Sequence, residues 1–289
     1  MRCVYCGSEQ VVRTGMHGKH VKAQRYHCKA CDKWFNDKTG TIFANSNLPL
    51  RMWFFAAFLL QFKVSVMEIS RALGIGYKAA FFMVRKLRQS LYARRIPEKL
   101  RGDVEMDEAY VKAGLKGKRG LKRPPRKRGL KSRGRGTYDG DKVPIVAMVE
   151  RGSGRVRIQP HRNIKARVVI KRYLGDVDPG ARVYTDEFRS YNALPEDRHF
   201  TVNHGEGEYS DGNGVHINTV EAEFSVLRPW LATFRGVSKE RLYLYTSHYE
   251  FLRNNRDLDQ VERTLKMLEF LRTLLLQGQY HPLTHPQQT

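Results

Sequence analysis

The chain has 289 residues and 41% of them are hydrophobic, so it is long enough for two or three modules with their own cores. Its 52 Lys and Arg against 29 Asp and Glu give a formal net charge of +23. This excess indicates a polyanionic partner such as nucleic acid, although a merely basic protein of ribosomal type would share it. A membrane protein is not expected, because the longest apolar run, Trp53 to Leu60, falls short of the ~20 residues that span a bilayer.

All four cysteines lie before residue 32, in two Cys-x2-Cys pairs with 21 residues between them. Each pair can present two thiolates from one tight turn, and four thiolates are the usual donor set of a structural zinc ion. The first module, residues 1–45, is therefore predicted to be a zinc ribbon rather than a pair of redox-active CxxC motifs. His17, His20 and His27 could each replace a thiolate, but surface positions are favoured for them. The predicted zinc ligands are Cys3, Cys6, Cys28 and Cys31.

Residues 46–100 have the pattern of a helical segment that contains a helix-turn-helix. Two helices are predicted, Val66–Leu73 and Tyr77–Ala93, and the sequence Gly74-Ile75-Gly76 separates them. The second helix is expected to turn a basic face towards the phosphates or base edges of a DNA major groove. The alternative is a helical hairpin with a solvated basic face, and the modules on either side favour DNA binding. The predicted DNA-binding residues of this helix are Lys78, Arg85, Lys86 and Arg88.

Two more helices complete the predicted helical content of the N- and C-terminal parts. One precedes the helix-turn-helix and is expected to bury a run of aromatic residues in a core, namely Trp53, Phe54, Phe55 and Phe58. The other is amphipathic, covers about residues 257–277 and forms the C-terminal part, 257–289, together with the tail. This last helix could supply contacts between subunits or cap the core.

Residues 101–256 are predicted to form the catalytic domain, an α/β fold with a mixed sheet. Three strands come first, at Glu105–Val111, Val143–Glu150 and Arg155–Pro160. A helix at 164–175, a strand at Arg182–Thr185 and a late helix at Thr219–Leu231 follow. This order of elements is that of an RNase H-like fold, in which helices pack on the faces of the sheet. The strand ends can then place acidic residues side by side, and the late helix can bring another across to them.

A basic insert interrupts this domain between residues 112 and 136. It contains twelve Lys or Arg, no acidic residue and several Gly and Pro, a composition that a compact core cannot absorb. We expect its cations to hold DNA phosphates beside the catalytic site, which would make DNA binding steeply dependent on salt. The predicted DNA-binding residues of the insert are Lys122, Arg123, Arg126, Lys127 and Arg128.

Three acidic residues of the catalytic domain are predicted to bind metal: Asp107, Asp186 and Glu221. Asp107 lies in an apolar strand and Asp186 ends one, where an unpaired charge would be costly. Carboxylates from separate elements can hold two divalent metal ions, a pair that cuts and joins phosphodiesters, and oxygen ligands suit Mg²⁺. Glu221 and Arg228 lie two helical turns apart on one face, so the guanidinium could grip a nearby phosphate. Four other acidic residues rank lower, because most such residues are solvated charges: Glu105, Glu108, Glu187 and Glu223.

These motifs resemble the DDE transposases of bacterial and archaeal insertion sequences, in particular the type with an N-terminal zinc ribbon. The resemblance runs from Cys3 to about Arg256 and combines several stretches in one order. Among them are Cys-Val-Tyr-Cys-Gly-Ser, Val-Glu-Met-Asp-Glu-Ala-Tyr-Val, Val-Tyr-Thr-Asp-Glu-Phe-Arg-Ser-Tyr and Val-His-Ile-Asn-Thr-Val-Glu-Ala-Glu-Phe. The basic insert and Pro229, which is expected to kink or end the late helix, depart from the family's pattern.

The resemblance implies that Asp107, Asp186 and Glu221 form the family's metal-binding triad, with two Mg²⁺ (or Mn²⁺) ions bound. Arg228 would take the place of the usual Lys. Some relatives have Asn as the third catalytic residue, and Asn218 matches that position. We favour Glu221 over Asn218, because a carboxylate binds Mg²⁺ better than an amide does.

By the same resemblance the protein is expected to be a transposase, a polynucleotidyl transferase that binds the ends of its insertion sequence and catalyses metal-dependent cleavage and transfer of DNA strands. Its partners would be double-stranded DNA, as element ends and as target, and further copies of itself in a homodimer or larger complex. Because no cysteine is left for disulfides, a cytoplasmic, nucleoid-associated protein is expected. Two alternatives stay open: a DNA-binding regulator derived from an inactive or domesticated transposase, and a structure-specific RNase H-like nuclease.

Overall fold

The computed structural model describes residues 1–18, 22–93, 98–117, 120, 135–202 and 215–273. Two compact units emerge from the contacts within the chain. The first unit combines Met1–Arg94 with Asp257–Thr289, and the second unit is Arg95–Arg256. Across these described ranges, no helix is both long enough and apolar enough to cross a membrane. The finer division of the first unit into a ribbon, a helix-turn-helix and a C-terminal part stays a prediction.

The ribbon is a small antiparallel sheet with the strand order β1-β2-β3. Its strands are β1 (Val11–His17), β2 (Ala23–Cys28) and β3 (Trp34–Asn36). The rings of Tyr26 and Phe35 stack with their centroids 5.3 Å apart, and with Cys3 and Cys28 they form the buried side of the sheet. This core is far too small to hold a fold alone, so the four cysteines beside it must contribute to its stability.

Three helices follow the ribbon: α1 (Leu50–Leu59), α2 (Val66–Leu73) and α3 (Tyr77–Ala93). Ser65 and Glu68 form a capping box that begins α2, and Gly74, with φ of 62°, ends it in the left-handed conformation that glycine tolerates best. The predicted positions of α2 and α3 are therefore confirmed. The predicted burial of the aromatic run in α1 is wrong for two residues, since Trp53 is buried while Phe54 and Phe55 are 45% and 44% exposed.

The second unit is built on a mixed sheet with the strand order β6-β5-β4-β7-β8. Its strands are β4 (Asp103–Gly114), β5 (Lys142–Glu150), β6 (Val156–Pro160), β7 (Arg182–Asp186) and β8 (His199–Val202). The first three strands pair antiparallel, whereas β7 runs parallel to β4 and β8 runs parallel to β7. This is the strand order of an RNase H-like fold, so the predicted mixed sheet is confirmed.

Helices cover both faces of this sheet, because alternate residues of β4 face opposite sides. On one face Val104 and Met106 share a core with residues of α4 (Ala166–Asp176). On the other face Ala109 and Val111 share a core with residues of α5 (Asn218–Ala232) and α6 (Leu242–Asn254). The short strand β9 (Val237–Ser238) pairs parallel with the end of β4. Glu105 and Asp107 lie on the same face of β4 as α5.

Helix α5 continues through Pro229 to Ala232, so the expectation that proline would end the helix after Arg228 is wrong, while the expected kink stays a prediction. Pro229 lies in the last turn, so the only backbone bond it removes is the one to the carbonyl of Ser225. Ser225 lies on the exposed side of the helix, where water can satisfy that carbonyl. Helix α7 (Gln260–Thr273) then returns the chain to the first unit, where it packs against α1 and α3.

Candidate active site

Strand register brings Asp107 and Asp186 to the same level of the sheet. The parallel pairing of β4 with β7 runs up to Glu105 opposite Tyr184. Two residues further along each strand, the same register sets Asp107 level with Asp186. Within the described part of the chain, the two strands are no longer paired at that level. Carboxyl ends of parallel strands are where α/β sheets commonly bind ligands.

A third carboxylate, that of Glu108, joins this pair. Oxygen atoms of Asp107, Glu108 and Asp186 all lie within 4.8 Å of one another. Successive strand residues normally face opposite sides of a sheet, but among the described residues the pairing of β4 with β7 stops before this level, and both side chains reach the same group of oxygens. The hydroxyl of Tyr191 donates to Oε2 of Glu108 over 2.8 Å, and a nitrogen of Arg135 lies 3.5 Å from Oε1. Glu108 had been ranked low from the sequence, yet it belongs to the acidic cluster.

The acidic cluster is electrostatically costly in the absence of a cation. Burial and then the charges of Glu108, Asp186 and Glu221 raise the pKa of Asp107 from 3.8 to about 8. Burial also raises the pKa of Glu108, despite the hydrogen bond from Tyr191. Like charges packed together in a partly buried site resist ionisation unless an opposite charge compensates them. Hard oxygen donors at this spacing fit a divalent cation such as Mg²⁺ or Mn²⁺.

Helix α5 supplies the remaining residues predicted for the site. Glu221 lies in its first turn, is exposed, and contributes to the raised pKa of Asp107. Asn218 is exposed at the first position of the helix. Arg228 is exposed two turns further on, with its guanidinium carbon 5.7 Å from the ring centre of Phe224. Glu221 is thus close enough to act electrostatically on the cluster, while its carboxylate is not one of the three that meet within 4.8 Å.

A buried carboxylate that the sequence analysis ranked low fixes the start of α5. Glu105 is fully buried, and its Oε1 accepts hydrogen bonds from Nε of Arg151 at 2.7 Å and from the hydroxyl of Thr219 at 2.9 Å. Its Oε2 accepts from the backbone N–H of Val220 at 2.9 Å. Nδ1 of His216 lies 3.1 Å from Oε1 but outside hydrogen-bond geometry. The carboxylate therefore satisfies N-terminal donors of the helix and is favoured there by the helix dipole.

The position of Glu105 explains how α5 is aligned with the acidic cluster. Glu105 precedes Asp107 by two residues, so both lie on the same face of β4. It binds the N–H of Val220, the residue directly before Glu221. One strand thus carries both the cluster and the anchor of the helix that brings Glu221 towards it. The signal in the sequence was an acidic residue inside an apolar strand, which implies a buried partner.

Glu223 is excluded as a metal ligand by its own partners in the core. It is 4% exposed, accepts a hydrogen bond from the hydroxyl of Tyr249, and pairs with Arg253, whose terminal nitrogen lies 2.8 Å away. The hydrogen bond to Glu223, after burial, raises the pKa of the Tyr249 hydroxyl. The two acidic residues therefore lie on different faces of α5. Glu223 is buried and holds α5 to α6, whereas Glu221 is exposed.

The four cysteines meet at one point of the ribbon, as their spacing predicted. Sγ of Cys3 lies 3.7 Å from Sγ of Cys31, and Sγ of Cys6 lies 3.7 Å from Sγ of Cys28. Zinc–sulfur bonds of ~2.3 Å in a tetrahedron require sulfurs about 3.8 Å apart, so these distances fit zinc, and they are too long for a disulfide. Burial raises the pKa of the Cys3 thiol, but N–H groups of its own turn and the other thiols bring it down to about 6.

The two cysteine turns share one backbone device. The residue after each second cysteine has a positive φ, 74° at Gly7 and 56° at Asp32. Asp32 also lies 2.7 Å from Nε2 of His27, so that imidazole is engaged outside the cysteine cluster. The side chains of His17 and His20 lie outside the described residues. The four thiols remain the donor set that fits the ion.

The basic face predicted for α3 is corrected in part. Lys78 is exposed, as expected. Arg88 is only 3% exposed, and Nζ of Lys86 donates to the backbone carbonyls of Ile42 and Ala44 at 3.0 and 2.9 Å. Burial of Arg88 and the hydrogen bonds of Lys86 therefore keep these two cations from DNA. Segments outside the predicted pair of helices contact α3 as well.

Arg85 is half-buried, which leaves Lys78 as the basic residue of α3 that matches the expectation most closely. The predicted phosphate-binding residues of the basic insert lie outside the described residues, namely Lys122, Arg123, Arg126, Lys127 and Arg128. The end of the insert is described, and there the guanidinium of Arg135 lies 4.1 Å from the ring centre of Phe188 as well as near Glu108. This contact ties the exit of the insert to the edge of the acidic cluster.

Comparison with known proteins gives one family. The model of the ISXO2-like transposase domain matches residues 99–254. A protein of Halobacterium salinarum, described as an uncharacterized protein in transposable element ISH50, is 41% identical over 256 residues, which cover 87% of this chain and 84% of that protein. An uncharacterized transposase-like protein of Haemophilus influenzae is 31% identical over 108 residues, covering 37% of this chain and 86% of that protein.

Among solved structures, the similarity is distant. The Mos1 transposase paired-end complex with the left transposon end is 12% identical, with a TM-score of 0.30 over 75% of this chain and 74% of that chain. A simian T-cell lymphotropic virus intasome in complex with a PP2A regulatory subunit is 14% identical, with a TM-score of 0.27 over 81% of this chain and 72% of that chain. The family match over the second unit therefore rests on sequence and not on these structures.

Proposed function

The chain belongs to the insertion-sequence DDE transposases with the ISXO2-like transposase domain, and on that premise we propose that it cuts DNA at the ends of an insertion sequence and joins those ends to target DNA. The observation that carries this proposal is the meeting of Asp107, Glu108 and Asp186 within 4.8 Å at one edge of the sheet. A protein that only bound DNA would have no use for a carboxylate cluster that repels the phosphates of its own ligand.

In the proposed site Asp107 and Asp186 would hold divalent cations from the sheet, and Glu221 would reach them from α5. When bound, two Mg²⁺ (or Mn²⁺) ions would supply charge stabilisation for the attacking and leaving oxygens of a phosphodiester. Glu105 would act before any substrate arrives, by holding the start of α5 at the level of the cluster. The site thus combines a rigid strand with a helix whose N-terminus is fixed to that same strand.

Cations of the chain would bring the DNA backbone to this site. Arg228, exposed two turns beyond Glu221 on α5, would bind a phosphate next to the reacting one. The twelve Lys and Arg of the basic insert, together with exposed Lys78 on α3, would hold phosphates further away. Because each neutralised phosphate releases counterions, affinity for duplex DNA should fall steeply as salt rises.

The ribbon would contribute through zinc bound by Cys3, Cys6, Cys28 and Cys31. Bound zinc would supply four covalent-like links that hold two turns together around a very small core. We further infer that the protein acts on DNA as a homodimer or a larger complex, because two element ends have to be held together for both to be joined to one target. The ribbon and α3 belong to the same unit and would recognise DNA outside the catalytic site.

The test is a cleavage assay on a labelled duplex that carries the element's end, with Mg²⁺ or Mn²⁺ added. Asp107→Asn and Asp186→Asn should each lower the cleavage rate by at least ~10³-fold, since each removes a ligand charge, and both should keep end binding. Glu187→Gln is the matched control, because Glu187 is exposed directly beside Asp186. A variant of either aspartate that cuts as fast as the wild type would overturn the assignment.

A strand-transfer assay separates the proposed activity from that of a nuclease on the same fold. The cut 3′ end is supplied with an unlabelled target duplex, and joined products are separated by size. A transposase yields joined products that need the same aspartates as cleavage. Cleavage of branched DNA without any joined product would favour the structure-specific nuclease instead.

A further inference from the structure

The ribbon has a second face that the zinc cluster does not use. Strand residues alternate between two sides, so Tyr26 and Phe35 turn towards the cysteines while their neighbours in sequence turn away. On the far side His27 pairs directly with Trp34 across the two strands. Arg25, two residues before His27, lies on the same side. These three residues, Arg25, His27 and Trp34, are called the outer face of the ribbon.

The outer face presents a large aromatic ring in a fixed position. Trp34 is 46% exposed, and two polar side chains of the same face pack against its ring. The imidazole of His27 stacks on its ring with a centroid distance of 4.4 Å, and the guanidinium carbon of Arg25 lies 4.2 Å from the indole centre. Asp32 in turn holds the imidazole at 2.7 Å. The indole is therefore held in place before a partner arrives, which lowers the entropy cost of binding.

The chemistry of the outer face fits nucleotides. A guanidinium packed over an aromatic ring that is 46% exposed can bind a phosphate, while the uncovered part of the ring stacks on a base. Residues 1–45 contain eight Lys or Arg against three Asp or Glu, so a polyanion is attracted to the ribbon as a whole. A second copy of the ribbon would bring the same excess of positive charge and would be repelled. The outer face therefore selects a nucleic acid over a second copy of the chain.

We propose that the outer face of the ribbon binds unpaired nucleotides of DNA, with one base stacked on Trp34. The bases of an intact duplex hide their flat faces from such a ring, whereas a single strand or an opened end exposes them. The inference rests on the proposed function in taking DNA as the substrate, and it adds a site for unpaired DNA outside the catalytic unit. A protein that cuts and joins strands generates such unpaired ends.

The tryptophan content of the chain makes this site directly observable. The chain has three tryptophans, and the other two, Trp53 and Trp230, are only 2% and 4% exposed. Trp34 therefore dominates the emission that a soluble quencher can reach. A single-stranded oligothymidine of roughly 20 nucleotides, longer than the ~4–16 nucleotides that one small domain covers, should quench this accessible emission in the full-length protein. A blunt duplex of the same length should quench it far less.

Substitutions then test whether the ring carries the affinity. Trp34→Ala should weaken binding of the oligothymidine about tenfold, equal to ~1.4 kcal/mol, and change duplex affinity less than about twofold. Trp34→Phe should keep most of the affinity, because a phenyl ring still stacks. Met16→Ala is the matched control, since Met16 is an exposed apolar residue of the same sheet, at 60% exposure, and should bind both DNAs like the wild type. Zinc content and melting temperature confirm that each variant is folded.

Three results would overturn the proposal. One is a folded Trp34→Ala protein that binds the oligothymidine as the wild type does. Another is an equal loss on duplex and single strand, which would mean that the face binds phosphates without reading unpaired bases. The third is a change from dimer to monomer in Trp34→Ala with oligonucleotide binding unchanged, which would make a second copy the partner. Asp107→Asn should lose cleavage and keep this binding, so the failure of the catalytic proposal and that of this one are distinguishable.

Discussion

The chain carries two clusters of side chains that could hold a metal ion, and they differ in how their members are brought together. The cysteine cluster comes from two short turns, and each turn presents two thiols within a stretch of four residues. Sulfurs from the two turns lie 3.7 Å apart in two pairs. The acidic cluster joins β4 to the end of β7, so Asp107 and Asp186 meet only through the register of a parallel strand pair. A metal in the first cluster would hold a fold together, whereas a metal in the second would relieve a charge cost that the fold already bears.

The largest effect should follow from removing zinc. Chelation, or Cys28→Ser, should unfold the ribbon, because zinc binding to such sites is worth about 10–16 kcal/mol and the apolar core behind it is very small. Amide hydrogen exchange in β2 measures this, while the strands of the second unit should keep their protection. His27→Ala is the control, since its imidazole is bound to Asp32 and the variant should keep one zinc per chain. If β2 kept its full protection after complete chelation, the claim that zinc holds the ribbon together would be wrong.

The next largest effect concerns the third acidic ligand. Glu221→Gln should lower the rate of strand cleavage about 10³-fold, whereas Asn218→Ala should lower it less than about tenfold, because an amide is the weaker ligand for Mg²⁺. Glu108→Gln keeps an acceptor for Tyr191 and should mainly raise the Mg²⁺ concentration needed for half-maximal cleavage. Titrating Mg²⁺ for all three variants separates these roles. Fast cleavage by Glu221→Gln together with loss in Glu108→Gln would make Glu108 the third ligand.

The sequence predicted the cysteine cluster more completely than the acidic cluster, because the first is formed by local turns and the second by strand register. Cysteine spacing is local, so the Cys-x2-Cys pairs alone predicted the ribbon cluster. Asp107 and Asp186 were chosen because each lies in an apolar strand, and the register then set them level. Glu108 was ranked low because most acidic residues are solvated charges, yet it lies just beyond the last described pair of β4 and β7 and joins the cluster there. Such a loss of pairing depends on where β7 stops, which local patterns do not reveal.

Burial in the helical segment was harder to predict, because it depends on which elements pack where. Lys86 and Arg88 lie on α3, whose pattern indicates one apolar stripe and one basic face. The return of α7 to the first unit covers α3 from another side, and Lys86 is occupied by two carbonyls of the loop before α1. Conversely Phe54 and Phe55 stay exposed, since α1 buries only one side. These outcomes depend on contacts between segments that are distant in sequence, for which sequence periodicity carries no signal.

A smaller effect should come from the anchor of α5. Glu105→Gln removes the charge that faces Arg151 and the N–H of Val220, and should cost about 3 kcal/mol of unfolding free energy, as expected for breaking a buried pair. Hydrogen exchange at the first turn of α5 should quicken more than exchange in α6. Glu187→Gln, which changes an exposed carboxylate, should leave both unchanged. If the first turn of α5 kept its protection in Glu105→Gln, the anchoring role would be wrong.

The smallest effect is a dependence of stability on pH in the metal-free protein. The pKa of Asp107 is about 8 in the folded chain and near 3.8 when unfolded, so the folded state holds the proton longer. Its contribution to stability is therefore full below pH 4 and is lost as pH rises towards 8. Asp107→Asn removes this loss, so the variant should melt at a higher temperature than the wild type at pH 8.

Comparison of the two proteins at pH 5 and pH 8, in the presence of chelator, isolates this contribution. The difference in melting temperature should be larger at pH 8 and should shrink when Mn²⁺ is added, because bound cation favours the ionised wild-type carboxylate. A wild-type protein that gains stability relative to Asp107→Asn as pH rises would have the opposite sign and would contradict the charge cost ascribed to the acidic cluster.

The central claim is that Asp107 and Asp186 together bind a cation at one site. It is tested most directly by measuring Mn²⁺ binding with electron paramagnetic resonance, without DNA and without turnover. The wild type and Glu187→Gln should bind Mn²⁺ with the same affinity. Asp107→Asn and Asp186→Asn should each weaken it at least tenfold, and the double variant should be little worse than either single one, because the two ligands serve one site. Wild-type Mn²⁺ affinity in both single variants would show that the two carboxylates hold no ion.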